Sequence, residues 1–206
     1  MSWTGELVDE KRRQPVVETR TGFEGKVWDV VRDTVDLGPA GHAVRDYITH
    51  PGAAVVLALD DEERVLLVRQ YRHPVGTFLF ELPAGLRDAD GEGPLDTAKR
   101  ELHEETGYLA QTWHSLVDLY LSPGASAERV RIYLARGVRP HPDGRPTDLT
   151  GEEYGMPVLW APLADLVRGV LAGELHNSSL AAGVLAAWAA RWDGFASLRP
   201  ADAAEE

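Results

Sequence analysis

The chain contains no cysteine among its 206 residues. That removes disulfides, thiolate nucleophiles and cysteine-based metal sites together. It is also short of positive charge: 21 Lys and Arg face 33 Asp and Glu, a formal net charge of −12 at pH 7. Such an acid excess offers no basic field to draw in a nucleic-acid backbone or an anionic membrane surface. No apolar run approaches the ~18 residues of a membrane-spanning helix. The first residues lack the basic-then-apolar pattern of a secretory signal. A soluble, cytoplasmic protein is the expectation. What is present fits a globular chain, with 44% apolar and 26% charged residues, so wholesale disorder is excluded. The length suffices for one domain with a smaller satellite.

Hydrophobic patterning divides the chain unevenly. The first twenty or so residues, with Lys11-Arg12-Arg13-Gln14-Pro15, read as a loosely held lead-in. KVWDVVRDTVDL (26–37) and AVRDYIT (43–49) read as strands around the turn Gly38-Pro39-Ala40-Gly41, so residues 1–50 are expected to form a small β-rich subdomain. The main domain, 51–194, opens with AAVVLAL (53–59), a continuous apolar run expected of a strand covered on both faces. RVLLVRQYR (64–72) and FLFEL (78–82) continue it, and further strands are expected near 115–121, 130–135 and 156–160. A helix is expected from Pro94 to Thr106, with Pro94 in its first turn and Gly107 just past its end. Pro162 starts a second helix, and Asn177 or Ser178 caps a third. In the third, Leu180, Val184, Leu185, Trp188 and Trp192 keep helical spacing. Residues 195–206 are expected to be a disordered tail. Strands with an intervening helix and two closing helices imply a mixed α/β sandwich.

The chemistry concentrates in GLRDADGEGPLDTAKRELHEETGY (85–108). On the expected helix Glu101, Glu104 and Glu105 stand at i, i+3 and i+4, so three carboxylates share one face. Like charges at this spacing repel, and no Lys or Arg is expected to interleave there. A hard divalent cation with oxygen ligands would offset the repulsion, and Mg²⁺ takes carboxylates together with substrate phosphate oxygens. Other chemistries fail on inspection. His103-Glu104 lacks the second histidine of a zinc-protease helix, and no dinucleotide or Walker loop is present.

Gly85, Glu92, Arg100-Glu101, Glu104-Glu105 and Gly107 together resemble the signature of the Nudix hydrolases, G-x5-E-x7-R-E-U-x-E-E-x-G-U. Here six residues separate Gly85 from Glu92, and Tyr108 stands at the final aliphatic position. The resemblance implies an α/β/α sandwich with a mixed sheet and hydrolysis of a diphosphate that links a nucleoside to another group. It implies Mg²⁺ or Mn²⁺ held by Glu101 and Glu105, with Glu104 close behind and the Ala84 carbonyl as a further ligand. Glu92 and Arg100 would brace the loop against the helix.

Residues outside the box resemble the ADP-ribose pyrophosphatase branch: Gln70-Tyr71-Arg72, FELPAG (80–85) and Ser122-Pro123-Gly124, with Pro123 sixteen residues after Gly107. That likeness implies cleavage of ADP-ribose to AMP and ribose 5-phosphate, with another nucleotide sugar or a dinucleotide as the alternative. A non-catalytic ligand-binding regulator is the alternative of a different class, but no DNA-binding module is evident. Arg72 would contact the diphosphate, because a guanidinium offers two parallel donors. Leu86, Pro123, Gly124 and Glu128 are implied as further substrate contacts. Phe23, Arg45 and Asp46 would serve a partner subunit's site in a homodimer, with Trp28 as a rival to Phe23 for stacking on adenine. Glu152, beside Glu153 on the long loop before the last strand, is the implied general base, with Glu128 as competitor.

Overall fold

The computed structural model describes residues 5–147 and 154–205. Three antiparallel strands come first: β1 (Val16–Phe23), β2 (Val30–Asp36) and β3 (His42–Ile48), in the order β1-β2-β3. The main body follows with β4 (Ala53–Ala58), β5 (Arg64–Arg72), β6 (Thr77–Glu81), β7 (Ala84–Leu86) and α1 (Pro94–Thr106). It continues through β8 (Tyr108–Leu109), β9 (Thr112–Tyr120), β10 (Arg129–Arg136), β11 (Arg139–Pro140) and β12 (Val158–Pro162). The chain then forms α2 (Leu163–Leu171), α3 (Ser178–Ala190) and β13 (Arg199–Pro200).

The central sheet runs β13-β9-β10-β4-β7, and the β4–β10 pair is parallel while its neighbours are antiparallel. A second sheet, β12-β5-β6, shares the core. The pleat explains why β4 is apolar throughout. Ala54, Val56 and Ala58 face α1 with Tyr133 and Ala135 of β10, against Ala98 and Leu102 of the helix. Val55 and Leu57 face the other way, with Ile132 and Leu134, against Leu180, Val184 and Ala187 of α3. Both faces are covered, so the layers are α1, sheet and α3. Leu102 is wholly buried, and truncating such a leucine to alanine costs about 2–5 kcal/mol. That fixes how α1, and every carboxylate on it, sits over the sheet.

The expected helix punctuation holds. Pro94 occupies the first turn of α1, and Gly107 ends it in the left-handed conformation at φ +76°. Between the two candidates for the α3 cap, the structure chooses Asn177, whose side chain accepts from the Leu180 amide at 2.8 Å.

Three expectations need correction. The lead-in is not loose throughout, because Val16–Phe23 pairs along β2. Nearly every residue of β1 is exposed, so a ladder holds it and no apolar alternation announces it. Second, α3 ends at Ala190, and Trp192 lies in the following turn with 89% of its surface exposed. Third, the segment expected to be disordered is packed: Phe195 is buried, and Arg199–Pro200 pairs with Ser115 and His114 of β9.

Candidate active site

α1 presents its acid face to β7. Glu101 and Glu105, one turn apart, are 9% and 6% exposed, far more buried than carboxylates on a solvated helix face. The first box glycine explains the position of Glu101. A Cβ on Gly85 would overlap Glu101 Oε1, so only glycine leaves room for that carboxylate where it stands. The Glu105 carboxylate accepts from the Ala84 amide at 3.0 Å. The β7 backbone therefore positions both acids from below.

The helix does contain a cation on this face, against the expectation. Arg100 donates from Nη1 to Glu101 at 2.6 Å and to Glu104 at 2.8 Å. Its Nε and Nη2 grip the two oxygens of Glu92, each at 3.0 Å. Arg100 thus offsets the carboxylate repulsion and ties the loop before α1 to the helix. The hydrogen bond from Arg100, reinforced by one from Thr97, holds the Glu92 carboxyl below the usual range, and Glu92 in turn pushes the arginine up.

Among the described residues, no three acid or histidine side chains converge tightly enough to enclose a cation. The donor set still suits one. Glu101 and Glu105 supply hard oxygens on one helix face, Glu104 adds a third, and the Gly85 cradle keeps the space beside Glu101 free of side chain.

Two hollows are lined by the expected substrate residues. The larger, about 810 Å³, is lined by Arg72, Glu81, Ala84, Gly85, Leu86 and Glu128, with Trp28 at its rim. The smaller, about 560 Å³, is lined by Arg45, Asp46, Pro123, Gly124, Asp33 and Tyr47. Ser126 borders both. The expected substrate residues therefore split into two groups, one beside the helix acids and one between the N-terminal sheet and the loop after β9.

Phe23 lines neither hollow and is 63% exposed, whereas Trp28, its rival, lines the larger. Asp46 is gripped by Arg32 at 2.6 and 2.9 Å, a hydrogen bond that holds its carboxyl low. Glu128 lies 3.9 Å from the His50 ring. Glu152 and Glu153 lie outside the described residues. The second box glycine seats the segment that leads toward them. His141 donates its amide to the Gly107 carbonyl at 2.8 Å, and a Cβ on Gly107 would lie 2.7 Å from the Arg145 nitrogen.

Sequence reasoning missed the role of Glu81. It is almost fully buried, receives Arg72 at 3.0 and 2.7 Å, and accepts from Gln70 at 3.2 Å. Its place in FELPAG was visible, but the partnership depends on β5–β6 register, which pairs Val68 with Glu81.

The NUDIX domain matches this chain over residues 49–180. The chain belongs to the Nudix family. An ADP-ribose pyrophosphatase of Mycobacterium tuberculosis is 45% identical over 186 residues, spanning 90% of this chain and 88% of that one. An ADP-ribose pyrophosphatase of Bacillus subtilis is 35% identical over 159 residues, spanning 77% and 84%. A crystal structure of an ADP compounds hydrolase superposes with a TM-score of 0.70 at 18% identity, over 91% of this Nudix chain and 99% of that one. That last likeness concerns the fold alone. It agrees with the α/β/α layering and with the β-rich N-terminal part. Nudix hydrolases generally work with divalent metal ions, so the acid face of α1 and the family's chemistry point the same way.

Proposed function

We propose that this Nudix chain hydrolyses ADP-ribose to AMP and ribose 5-phosphate. The observation that carries the reading is the larger hollow, which sets Arg72 of β5 and the β7 backbone around one space beside the acid face of α1. A diphosphate in that hollow meets the Arg72 guanidinium, and the β7 backbone that lines the hollow also seats Glu101 and Glu105. Water attacks one phosphorus, the bridging P–O bond breaks, and the leaving phosphate keeps the bridging oxygen. Arg72, braced by Glu81, binds and orients the diphosphate. Glu101, Glu105, Glu104 and the Ala84 carbonyl are the groups that would hold Mg²⁺ or Mn²⁺. Such an ion neutralises phosphate oxygens and lowers the pKa of water. Glu152 takes the proton from water in this reading, a role that rests on family resemblance alone.

Pro123 and Gly124, which line the smaller hollow, contact the adenosine or terminal ribose. In the proposed homodimer, Phe23, Arg45 and Asp46 serve the partner's site, which accounts for Phe23 standing clear of both hollows of its own chain. Residues 1–50 act as the subdomain that makes these contacts, and residues 51–194 as the hydrolase domain. No helix among the described residues is long and apolar enough to cross a membrane, and we place the enzyme in the cytoplasm. The test is turnover of purified protein against ADP-ribose, other nucleotide sugars and dinucleotides, with Mg²⁺, Mn²⁺ or chelator. The reading requires ADP-ribose to give the highest kcat/KM and chelator to abolish it. A preference for another conjugate would move the assignment there.

A further inference from the structure

The loop between β7 and α1 is pinned at both ends by guanidinium–carboxylate pairs. At its far end Glu92 meets Arg100 within the box. At its near end Arg87 meets Glu205, a residue 118 positions away in sequence. Arg87 Nη1 donates to both Glu205 oxygens at 2.9 Å, and the Arg87 amide donates to the Gly52 carbonyl at 3.1 Å. Arg87 directly follows Leu86 and stands two residues beyond Gly85, both of which line the larger hollow.

Segment 199–205 reaches Arg87 along a built path. Arg199 donates to Asp118 at 2.9 Å and to Ser115 at 3.1 Å. Ala201 packs on the apolar layer beneath α1. The Ala203 and Ala204 carbonyls accept from Arg131 at 2.6 and 3.2 Å, and Asp118 grips the same guanidinium at 2.6 and 2.8 Å. Arg131 is only 2% exposed, so a buried cation takes its last acceptors from this segment. Burial alone would raise the Asp118 carboxyl, but Arg131 and Arg199 outweigh it and hold it low. Glu205 then stands among three arginines, at 2.9 Å from Arg87, 3.6 Å from Arg131 and 3.8 Å from Arg129.

We infer that Glu205 is a positioning residue for the box loop: by clamping Arg87 it keeps Ala84–Leu86 in register beneath Glu101 and Glu105. Segment 199–205 is a strap whose anchor is the buried Arg131 and whose working end is Glu205. The inference rests on the hydrolase site proposed above for its kinetic readout, whereas its exchange readout needs no substrate.

The experiment is Glu205→Gln in the full chain, beside Arg87→Ala, the double variant and the exposed control Asp202→Asn. Amide exchange over 87–92, melting temperature, kcat and KM are measured on each. Losing one charge-assisted clamp should speed exchange over 87–92 and lower kcat about tenfold, with KM changed less than about twofold. The double variant should be no worse than either single one, because Glu205 acts through Arg87. Asp202→Asn should match wild type. Unchanged loop exchange in Glu205→Gln, or additive losses in the double variant, would overturn the inference. So would a kcat loss accompanied by faster exchange throughout the sheet, which marks a merely structural role. If wild type fails to cleave ADP-ribose, the hydrolase reading fails and the exchange comparison still decides this one.

Discussion

The corner formed by β7 and α1 and the three-stranded N-terminal sheet find their partners over very different distances. In the corner Arg100 meets Glu101 next to it, Glu104 one turn on and Glu92 eight residues back. In the sheet Arg32 meets Asp46, and Tyr47 meets Asp33, each fourteen residues apart and only because β2 and β3 align in one register. Helical periodicity is written into spacing, so the corner's geometry follows from the order of residues. Strand register is not, since sliding a strand by one residue exchanges its faces. The corner is also buried while the sheet is largely exposed, so substitutions in the corner should cost chemistry and those in the sheet should cost affinity.

The largest expected effect belongs to the corner. Glu105→Gln removes one charge but keeps the helix, since the two residues have similar helix propensity. Turnover should fall about a thousandfold, with an unchanged far-ultraviolet circular dichroism spectrum. Near-normal kcat at saturating Mg²⁺ would contradict this. Gly85→Ala comes next. Its Cβ would displace the Glu101 side chain, so kcat should drop about a hundredfold. The fold should survive, because the clashing atoms belong to a side chain that is able to move.

The N-terminal sheet should respond differently. Arg45→Ala is expected to raise KM about tenfold and leave kcat nearly intact. Mixing it with Glu105→Gln, at ADP-ribose well below KM where both variants are impaired, tests the proposed shared site: after subunit exchange, half of the mixed dimers' sites carry no lesion, so activity partly returns. No recovery despite verified exchange would place Arg45 in its own chain's site or in none.

The smallest contrast is in pH dependence. Glu92 and Asp46 both have folded-state pKa values below the ordinary carboxylate range. Each therefore contributes stability that is present above its unfolded pKa of about 4 and is lost as pH falls through the folded value. Glu92→Gln should flatten the fall in melting temperature between about pH 5 and pH 3. Asp46→Asn should alter it less, because its pair with Arg32 is more exposed and better screened. Equal effects would erase the distinction between the two regions.

Much of the fold could be read beforehand because α1, α3 and β4 carry their burial pattern in sequence. The helix caps at Pro94, Gly107 and Asn177 are local signals of the same kind. β1 was illegible because its residues are exposed and held by backbone pairing alone. The strap was illegible for another reason: RPADAAEE has the composition of a solvated tail, and nothing in it announces that a buried Arg131 awaits its carbonyls. In the site, the glutamates and Arg100 were visible as a spacing, but Arg100 as the cation that offsets them was not. Arginine reaches back along the loop and forward along the helix at once, which a face-by-face reading of α1 does not show. Glu81 required the register of β5 with β6.

Glu101 and Glu105 are the proposed seat of a divalent ion, and Mn²⁺ binding tests that without reference to any substrate. Free Mn²⁺ followed by electron paramagnetic resonance during titration of wild type and Glu105→Gln gives the two affinities directly. Loss of a ligand charge should weaken binding at least about tenfold. Equal affinities would contradict the account and move the ion to other oxygens.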